Sequence, residues 1–402
     1  MGFRQLARRG TPIKILFGAY QTEHFSNGGV ESATRIFEAL KGWFDWTLVT
    51  TREMPRTQRW REGGASVSIA PFDENAGRFD RRFAGLRWAA IFAKCLREST
   101  PDIVHLNDIQ SYQAYSFLPR WMRRQPLIFT LRDTRPPGVP YTPIWNRMAR
   151  EADRIVVLSR EMGAELAAAV PAAAEKIAVI HSIVDLEKFA PSSGPDRDSA
   201  RNRLGIKADD FAIGCIGAIR EKKGQAAFVQ NALPVIFENN PNAHVHFIGD
   251  NGAPSHPYWT EFSQAASTSE LSSGISIHGH CDDVHRWYRA LDLILIPANY
   301  EGLARAMIEG MACGVPIVST DVCSAREMLD ETGAGLVVEK GDWSAMIAAV
   351  DRMKDPAFRK ACEASGRAVA DRLFDETGIA KQVQQLYEQV HRDSGEARRD
   401  GQ

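Results

Sequence analysis

Glu301 and Glu309 stand eight residues apart in YEGLARAMIEGMACGVPIVST, each offering two carboxylate oxygens as acceptors. Glu301 follows an apolar run and sits beside the backbone N–H groups of Gly302, Leu303 and Ala304, at the expected start of a helix. A carboxylate there suits sugar hydroxyls, and a vicinal diol matches its two oxygens. Glu309 falls two turns into that helix, where a buried carboxylate needs donors and a ribose diol would supply them. The plainer alternative makes Glu301 a helix-terminus charge and Glu309 a solvated side chain. The spacing alone does not choose between them.

A second group is cationic. In IGCIGAIREKKG, Arg220, Lys222 and Lys223 follow a strand-like run, at its carboxyl end. Cations there could neutralise a diphosphate, the group that leaves when a nucleotide-sugar reacts; otherwise they form a solvated loop. A third group is Asn27, Gly28 and Gly29, directly before a helical stretch. Glycines at such a point let an anion reach free N–H groups and the positive end of the helix dipole, although a plain turn reads the same. No GxGxxG is present, so a dinucleotide fingerprint fails.

The elements that must position these residues alternate. Short β-branched runs at 13–18, 47–50, 67–70, 103–106, 127–131, 154–158 and 177–180 are separated by amphipathic stretches such as 30–40 and 161–169. After the polar, Pro/Ser/Gly-rich segment DLEKFAPSSGPDRD (185–198), the pattern restarts with strands at 211–217, 244–249, 274–278, 291–296, 315–319 and 335–338. Continuous apolar strands separated by helices predict parallel sheets covered on both faces. The expectation is an α/β chain of two Rossmann-like, doubly wound domains facing each other across a hinged cleft, where ligands meet the carboxyl ends of the strands. Domains are expected at 1–188 and 189–375. A final segment, 376–402, is read as a helix that could pack back on the first domain, helical to about Arg392, with a disordered EARRDGQ tail.

Composition narrows the class. At 44% hydrophobic and 25% charged over 402 residues, the chain reads as a soluble globular protein of two domains. No apolar run reaches the length of a membrane span, and MGFRQLARRG carries no apolar segment behind its arginines, so no secretory signal is expected. The six cysteines form no CxxC pair and read as reduced thiols of a cytoplasmic protein. Charge is uneven: residues 1–190 hold 27 Lys and Arg against 20 Asp and Glu, and the remainder 22 against 30, so the halves meet different partners.

On NGGVE, PDIVHLN (101–107), VIHSIVDLEKF (179–189), GAIREKKG (217–224) and the Glu301/Glu309 context, the chain resembles the retaining glycosyltransferases of family 4, which share the GT-B fold. The resemblance covers nearly the whole length, and the Glu301/Glu309 context is its most specific part. It implies that 1–188 binds the acceptor and 189–375 the donor, that Glu301 contacts the donor sugar hydroxyls, Glu309 holds the nucleotide ribose, Lys223 meets the diphosphate, and Gly29 belongs to a loop approaching that diphosphate from the acceptor domain. Where relatives have an arginine this chain has Ala218, so Arg220 could reach the phosphates instead. In FTLRDTRPP, Arg132 stands where relatives place a catalytic-centre histidine; a permanent cation cannot be a base but can bind phosphate or an acceptor oxygen. His181-Ser182-Ile183 and Cys323-Ser324 also depart from the family pattern.

The expected reaction moves a sugar from a UDP- or GDP-linked donor to an acceptor hydroxyl with retention, in cell-surface glycan or lipopolysaccharide synthesis. No cofactor or metal is expected, and no nucleic acid partner. The acceptor is expected to be a glycan or lipid-linked. A nucleotide-sugar epimerase and a non-catalytic nucleotide-sugar binder are the alternatives. In RFDRRFAGLRWAAIFAKCLR (78–97), Phe79, Phe83, Leu86, Ala90 and Ala93 form a helical stripe, with Trp88 and Phe92 nearby and Arg78, Arg81, Arg82, Arg87, Lys94 and Arg97 around it. This is either a surface helix packed on its own sheet or a face for anionic lipid at the inner membrane surface.

Overall fold

The computed structural model describes residues 11–21, 28–72, 78–136, 138–249, 256–268 and 271–400, with the side chains of all but 78–82 and 397–400. Asn27 therefore lies outside the described residues, as do the side chains of Arg78, Phe79, Arg81 and Arg82. The first half contributes β1 (Lys14–Ala19), β2 (Asp45–Thr50), β3 (Ser66–Ile69), β4 (Ile103–Leu106), β5 (Leu127–Thr130), β6 (Arg154–Val157) and β7 (Ile177–Val179). The second contributes β8 (Phe211–Ile216), β9 (Ala243–Ile248), β10 (Ile275–Ile277), β11 (Leu293–Ile296), β12 (Ile317–Thr320) and β13 (Gly335–Val338).

Pairing is parallel throughout, in the orders β3-β2-β1-β4-β5-β6-β7 and β10-β9-β8-β11-β12-β13. The central strands explain why: IVHL of β4 and LILI of β11 are buried at every residue, so both sheet faces need a cover of helices. Strand order reverses beside β1 and again beside β8, which makes a crevice at the carboxyl ends of each central pair.

The chain ends on its first half. Ile379, Val383, Leu386 and Tyr387 of helix Glu376–Asp400 join the apolar cluster of Phe17, Phe44 and Trp46 beneath β1 and β2. Tyr387 also reaches the sheet interior, where its hydroxyl lies 2.7 Å from His105 Nδ1, and His105 Nε2 lies 2.7 Å from Thr130 Oγ1. Burial, with the Arg132 charge adding to it, drives the His105 pKa down to about 3, so this imidazole is neutral.

Four local expectations are corrected. The second part of the 185–198 linker is helical, because Gly194–Leu204 starts there with Pro195 in its first turn and Asp196 favourable to the dipole. The EARRD residues are not disordered, since the last helix runs past Arg392 to Asp400. The helix after β11 is Arg305–Ala312, with Ala304 as N-cap, so Glu301 to Leu303 form a loop instead of its first turn. Helix Arg78–Ser99 buries Ala84, Trp88, Ala89, Phe92, Cys95 and Leu96, whereas the Phe83 and Leu86 of the expected stripe are 61% and 48% exposed. The core takes the face of Trp88, the larger hydrophobe.

Candidate functional site

Both crevices open into one interdomain cleft of about 830 Å³, lined from the first half by Gly28, Gly29, Arg132 and Asp133. The second half contributes Arg220, Lys222, Lys223, Glu301, Gly302, Leu303, Arg305 and Glu309. Thus nine of the ten expected site residues line it. The tenth, Ala304, is the buried N-cap and does not.

Three glycines shape the cleft, two of them where its walls meet. Gly217 follows β8 with φ of +145°, and a Cβ there would lie 3.6 Å from Lys223 Nζ, so the lysine folds over the strand end. A Cβ on Gly302 would lie 2.5 Å from the Arg132 carbonyl oxygen, which ties the Glu301 loop to the opposite wall. That contact also explains why the helix cannot start at Glu301: the chain must first pass flat against residues 132–133. A Cβ on Gly28 would meet Arg305 Cδ at 2.6 Å.

Neither glutamate is a solvated face residue. Glu301, 6% exposed, pairs with Lys223, and Lys222 Nζ lies 3.8 Å from its other oxygen. Lys222 also donates across the cleft to Asp133 Oδ2 at 2.8 Å. Burial would lower the Lys222 pKa, but the Glu301 and Asp133 carboxylates outweigh it and hold it above the ordinary value. Burial pushes the Asp133 carboxyl up, with Lys222 opposing and Glu301 adding. Glu309, 8% exposed, accepts from Arg305 Nε at 2.8 Å and from the Tyr288 hydroxyl at 3.0 Å. Its donors are thus supplied in part by the protein, and a ribose diol would add to them instead of meeting a bare carboxylate.

Arg132 differs from these. Its Nε and one terminal nitrogen both donate to Asn107 Oδ1, at 2.8 and 2.6 Å, and no carboxylate is in ion-pair contact with it among the described residues. Burial pulls its pKa down to about 10, with Asp108 and Tyr387 opposing and Arg305 adding, so it remains a cation at neutral pH. Arg220 donates to the Ile219 carbonyl and lines the cleft near Lys223. Nearby on the first wall, Glu31 is paired with Arg56 at 3.0 Å and Arg59 at 3.1 Å. Burial would raise the Glu31 carboxyl, but the Arg59 and Arg56 guanidinium groups hold it at about 2.

Sequence reasoning missed Arg305, Tyr288 and Asn107. Arg305 was detectable, since Arg305 and Glu309 share a helix face at four-residue spacing. Tyr288 and Asn107 reach the site only through tertiary contacts. Among the described residues, no group of three or more His, Cys, Asp or Glu could hold a metal ion, and no helix is long and apolar enough to cross a membrane. Away from the cleft, Phe83 and Leu86 are exposed, a Cβ on Gly85 between them would meet the exposed Phe117 ring at 3.2 Å, and Trp121 is 67% exposed, with Arg120 and Arg124 also exposed.

Comparison with known proteins bears on this geometry. Residues 210–355 match the family described as Glycosyl transferases group 1, and residues 27–182 match the Glycosyl transferase 4-like domain. Over 219 residues the chain is 30% identical to a lipopolysaccharide core biosynthesis mannosyltransferase, LpsB, of Rhizobium meliloti, covering 53% of this chain and 61% of the relative. It is 23% identical over 350 residues to a D-inositol 3-phosphate glycosyltransferase of Thermomonospora curvata, covering 80% of each. The chain spans only 61%, 46% and 53% of the length of three curated relatives it matches. Among solved structures it superposes on Anabaena Alr3699/HepE in complex with UDP and glucose with a TM-score of 0.78, at 18% identity, covering 94% of this chain and 99% of that one. Sucrose-phosphate synthase from Thermosynechococcus elongatus gives 0.77 at 17% identity, with 94% and 99% covered.

Proposed function

We propose that this chain, which belongs to the glycosyl transferases group 1 family and has the GT-B fold, moves a sugar from a nucleotide diphosphate donor to an acceptor hydroxyl with retention of anomeric configuration. The observation that carries the reading is the pairing of Glu301 with Lys223 beside a separate Glu309–Arg305–Tyr288 group, all on one wall of one cleft. The first set has a carboxylate for sugar hydroxyls and an ammonium for a diphosphate; the second has a carboxylate for a ribose.

In this reading Lys223 and Lys222 are shared between Glu301 and the diphosphate, so charge developing on the leaving oxygen meets cations already fixed in position. Arg220 and the N–H groups around Gly302 and Leu303 add donors, and the glycine contacts between the walls limit water at the reacting carbon. No protein base is required if the departing phosphate takes the acceptor proton on the same face. The leaving-group charge is handled without a metal ion. Support for a nucleotide-sugar donor comes from the similarly folded Anabaena Alr3699/HepE, solved in complex with UDP, with UDP and glucose, and with UDP-glucose.

The acceptor is a cell-surface glycan or a lipid-linked sugar, as the lipopolysaccharide and phosphatidylinositol mannoside activities named for relatives suggest. The exposed Phe83, Leu86 and Arg87 on helix Arg78–Ser99 are the apolar and basic side chains that would meet an anionic membrane.

The test incubates the protein with UDP- and GDP-sugars and a panel of glycan acceptors, reading product by mass and its anomeric configuration by NMR. One donor should give acceptor-dependent nucleotide release and a retained linkage. A free epimerised sugar nucleotide would favour the epimerase, and tight donor binding without turnover on any acceptor the non-catalytic binder. An inverted linkage would overturn retention.

A further inference from the structure

Most charged side chains of the cleft are answered by another. Lys223 and Lys222 meet Glu301 and Asp133, Arg305 meets Glu309, and Arg56 and Arg59 meet Glu31. Arg132 stands apart. It lines the cleft, its side chain is turned by the buried Asn107 amide oxygen, and that partner is neutral. Asp108 is the carboxylate that acts on it electrostatically, but Asp108 is committed to the N–H groups of Tyr20 and Ser111, at 2.7 Å each. Below it His105 is engaged by Tyr387 and Thr130. A guanidinium carries five N–H donors; Asn107 accepts from two of its nitrogens, and the remaining terminal nitrogen has no protein acceptor among the described residues.

Holding a cation in a part-buried wall with no carboxylate in contact is costly, and the planar fork of arginine matches carboxylate and phosphate oxygens. The position is set by the backbone. The Arg132 carbonyl abuts Gly302, next to Glu301, where the transferred sugar lies in the transferase reading on which this inference rests. We propose that Arg132, oriented by Asn107, binds an anionic group, a phosphate or a carboxylate, carried beside the reacting carbon by the acceptor or by the transferred sugar. The substrate class is therefore an acidic sugar: a phosphorylated or uronic acid acceptor, or a nucleotide-linked uronate. Asn107 acts as a positioning residue, since its side-chain oxygen accepts from two nitrogens of Arg132.

Calorimetric or ligand-observed NMR titrations test this without an assigned substrate. The acceptor arm compares glucose 6-phosphate and glucuronate with glucose, each without nucleotide. The donor arm compares UDP-glucuronate with UDP-glucose and GDP-mannuronate with GDP-mannose. In one arm the acidic probe should bind about tenfold or more tightly than its neutral counterpart, the gain of a charge-assisted bond, and the arm that shows it identifies the source. Arg132→Gln should abolish that preference while affinity for free UDP or GDP stays within about twofold; Arg132→Lys should keep part of it, and Asn107→Leu should reduce it. Equal binding of acidic and neutral probes in both arms, or an unchanged preference in Arg132→Gln, would overturn the proposal. A tenfold loss of UDP or GDP affinity in Arg132→Gln would also overturn it, by assigning the guanidinium to the diphosphate. Failure of the transferase reading looks different: it is the absence of acceptor-dependent nucleotide release from every UDP- and GDP-sugar, whereas the preference for acidic probes is read in binding alone.

Discussion

Arg132 on the first wall and the charged sets on the second follow different electrostatic plans. On the second-domain wall the charges come in matched sets held by short contacts, Lys223 with Glu301 and Arg305 with Glu309 and Tyr288. On the first-domain wall Arg132 rests on a neutral amide above a neutral, buried His105. A wall of matched charges is rigid before any ligand arrives and suits a constant group such as a nucleotide diphosphate. A wall with an unmatched cation suits a group that differs among substrates, so variation in specificity belongs on that side.

The largest expected effect breaks the matched wall. Lys223→Ala removes a cation aimed at the leaving group and should lower turnover by on the order of a hundredfold or more, read in steady-state kinetics with the preferred donor. Added magnesium or manganese should not restore it. Activity that depends strictly on a divalent ion in wild type would count against fixed cations as the leaving-group partner.

Next in size is a pH effect under the unmatched wall. His105 is neutral in the fold with a pKa near 3, against 6.5 for the free side chain. A depressed folded value means that its stability contribution is complete above about 6.5 and is lost as pH falls toward 3, because the unfolded chain takes the proton first. Between pH 6.5 and 5 the loss should be about 2 kcal/mol. Urea unfolding of wild type and His105→Asn at both pH values checks it. The variant should lack this portion of the decline, and an equal decline in both would remove His105 from the account.

The smallest effect concerns the outer surface of the first domain. Cosedimentation with vesicles of anionic lipid should retain wild type at low salt and release it as salt rises, with each basic residue worth about 1 kcal/mol near the surface. Phe83→Glu with Leu86→Glu changes two exposed side chains and should reduce binding without unfolding the chain. The charge reversal Arg81→Glu with Arg82→Glu should act in the same direction. Wild type remaining in solution at low salt would leave this helix purely structural.

The fold was largely legible because each strand is a short apolar run that only a two-face-covered sheet can bury, as in β4 and β11. Errors fell where tertiary contact decides. The helix begins at Arg305 and not at Glu301 because Gly302 must pass against residues 132–133, a contact invisible along the chain. Helix Arg78–Ser99 has apolar residues on two faces, and periodicity could not say that Trp88 and Phe92, not Phe83 and Leu86, meet the core. Within the site, the strand ends and loops carrying Lys223, Glu301 and Arg132 could be read from sequence. Their partners Asp133, Tyr288 and Asn107 come together only when distant strands and helices meet.

The central claim, that the second-domain wall divides its work between a ribose carboxylate and a sugar carboxylate, is tested most directly by measuring nucleotide affinity and turnover together in Glu309→Ala and Glu301→Ala. Glu309→Ala should raise the nucleotide Kd by about tenfold, because the ribose contact is made equally in ground and transition states. Glu301→Ala should lower kcat by about tenfold or more with Kd nearly unchanged, since that contact positions the reacting carbon. Wild-type values for both parameters in both variants, or loss of nucleotide affinity confined to Glu301→Ala, would contradict it.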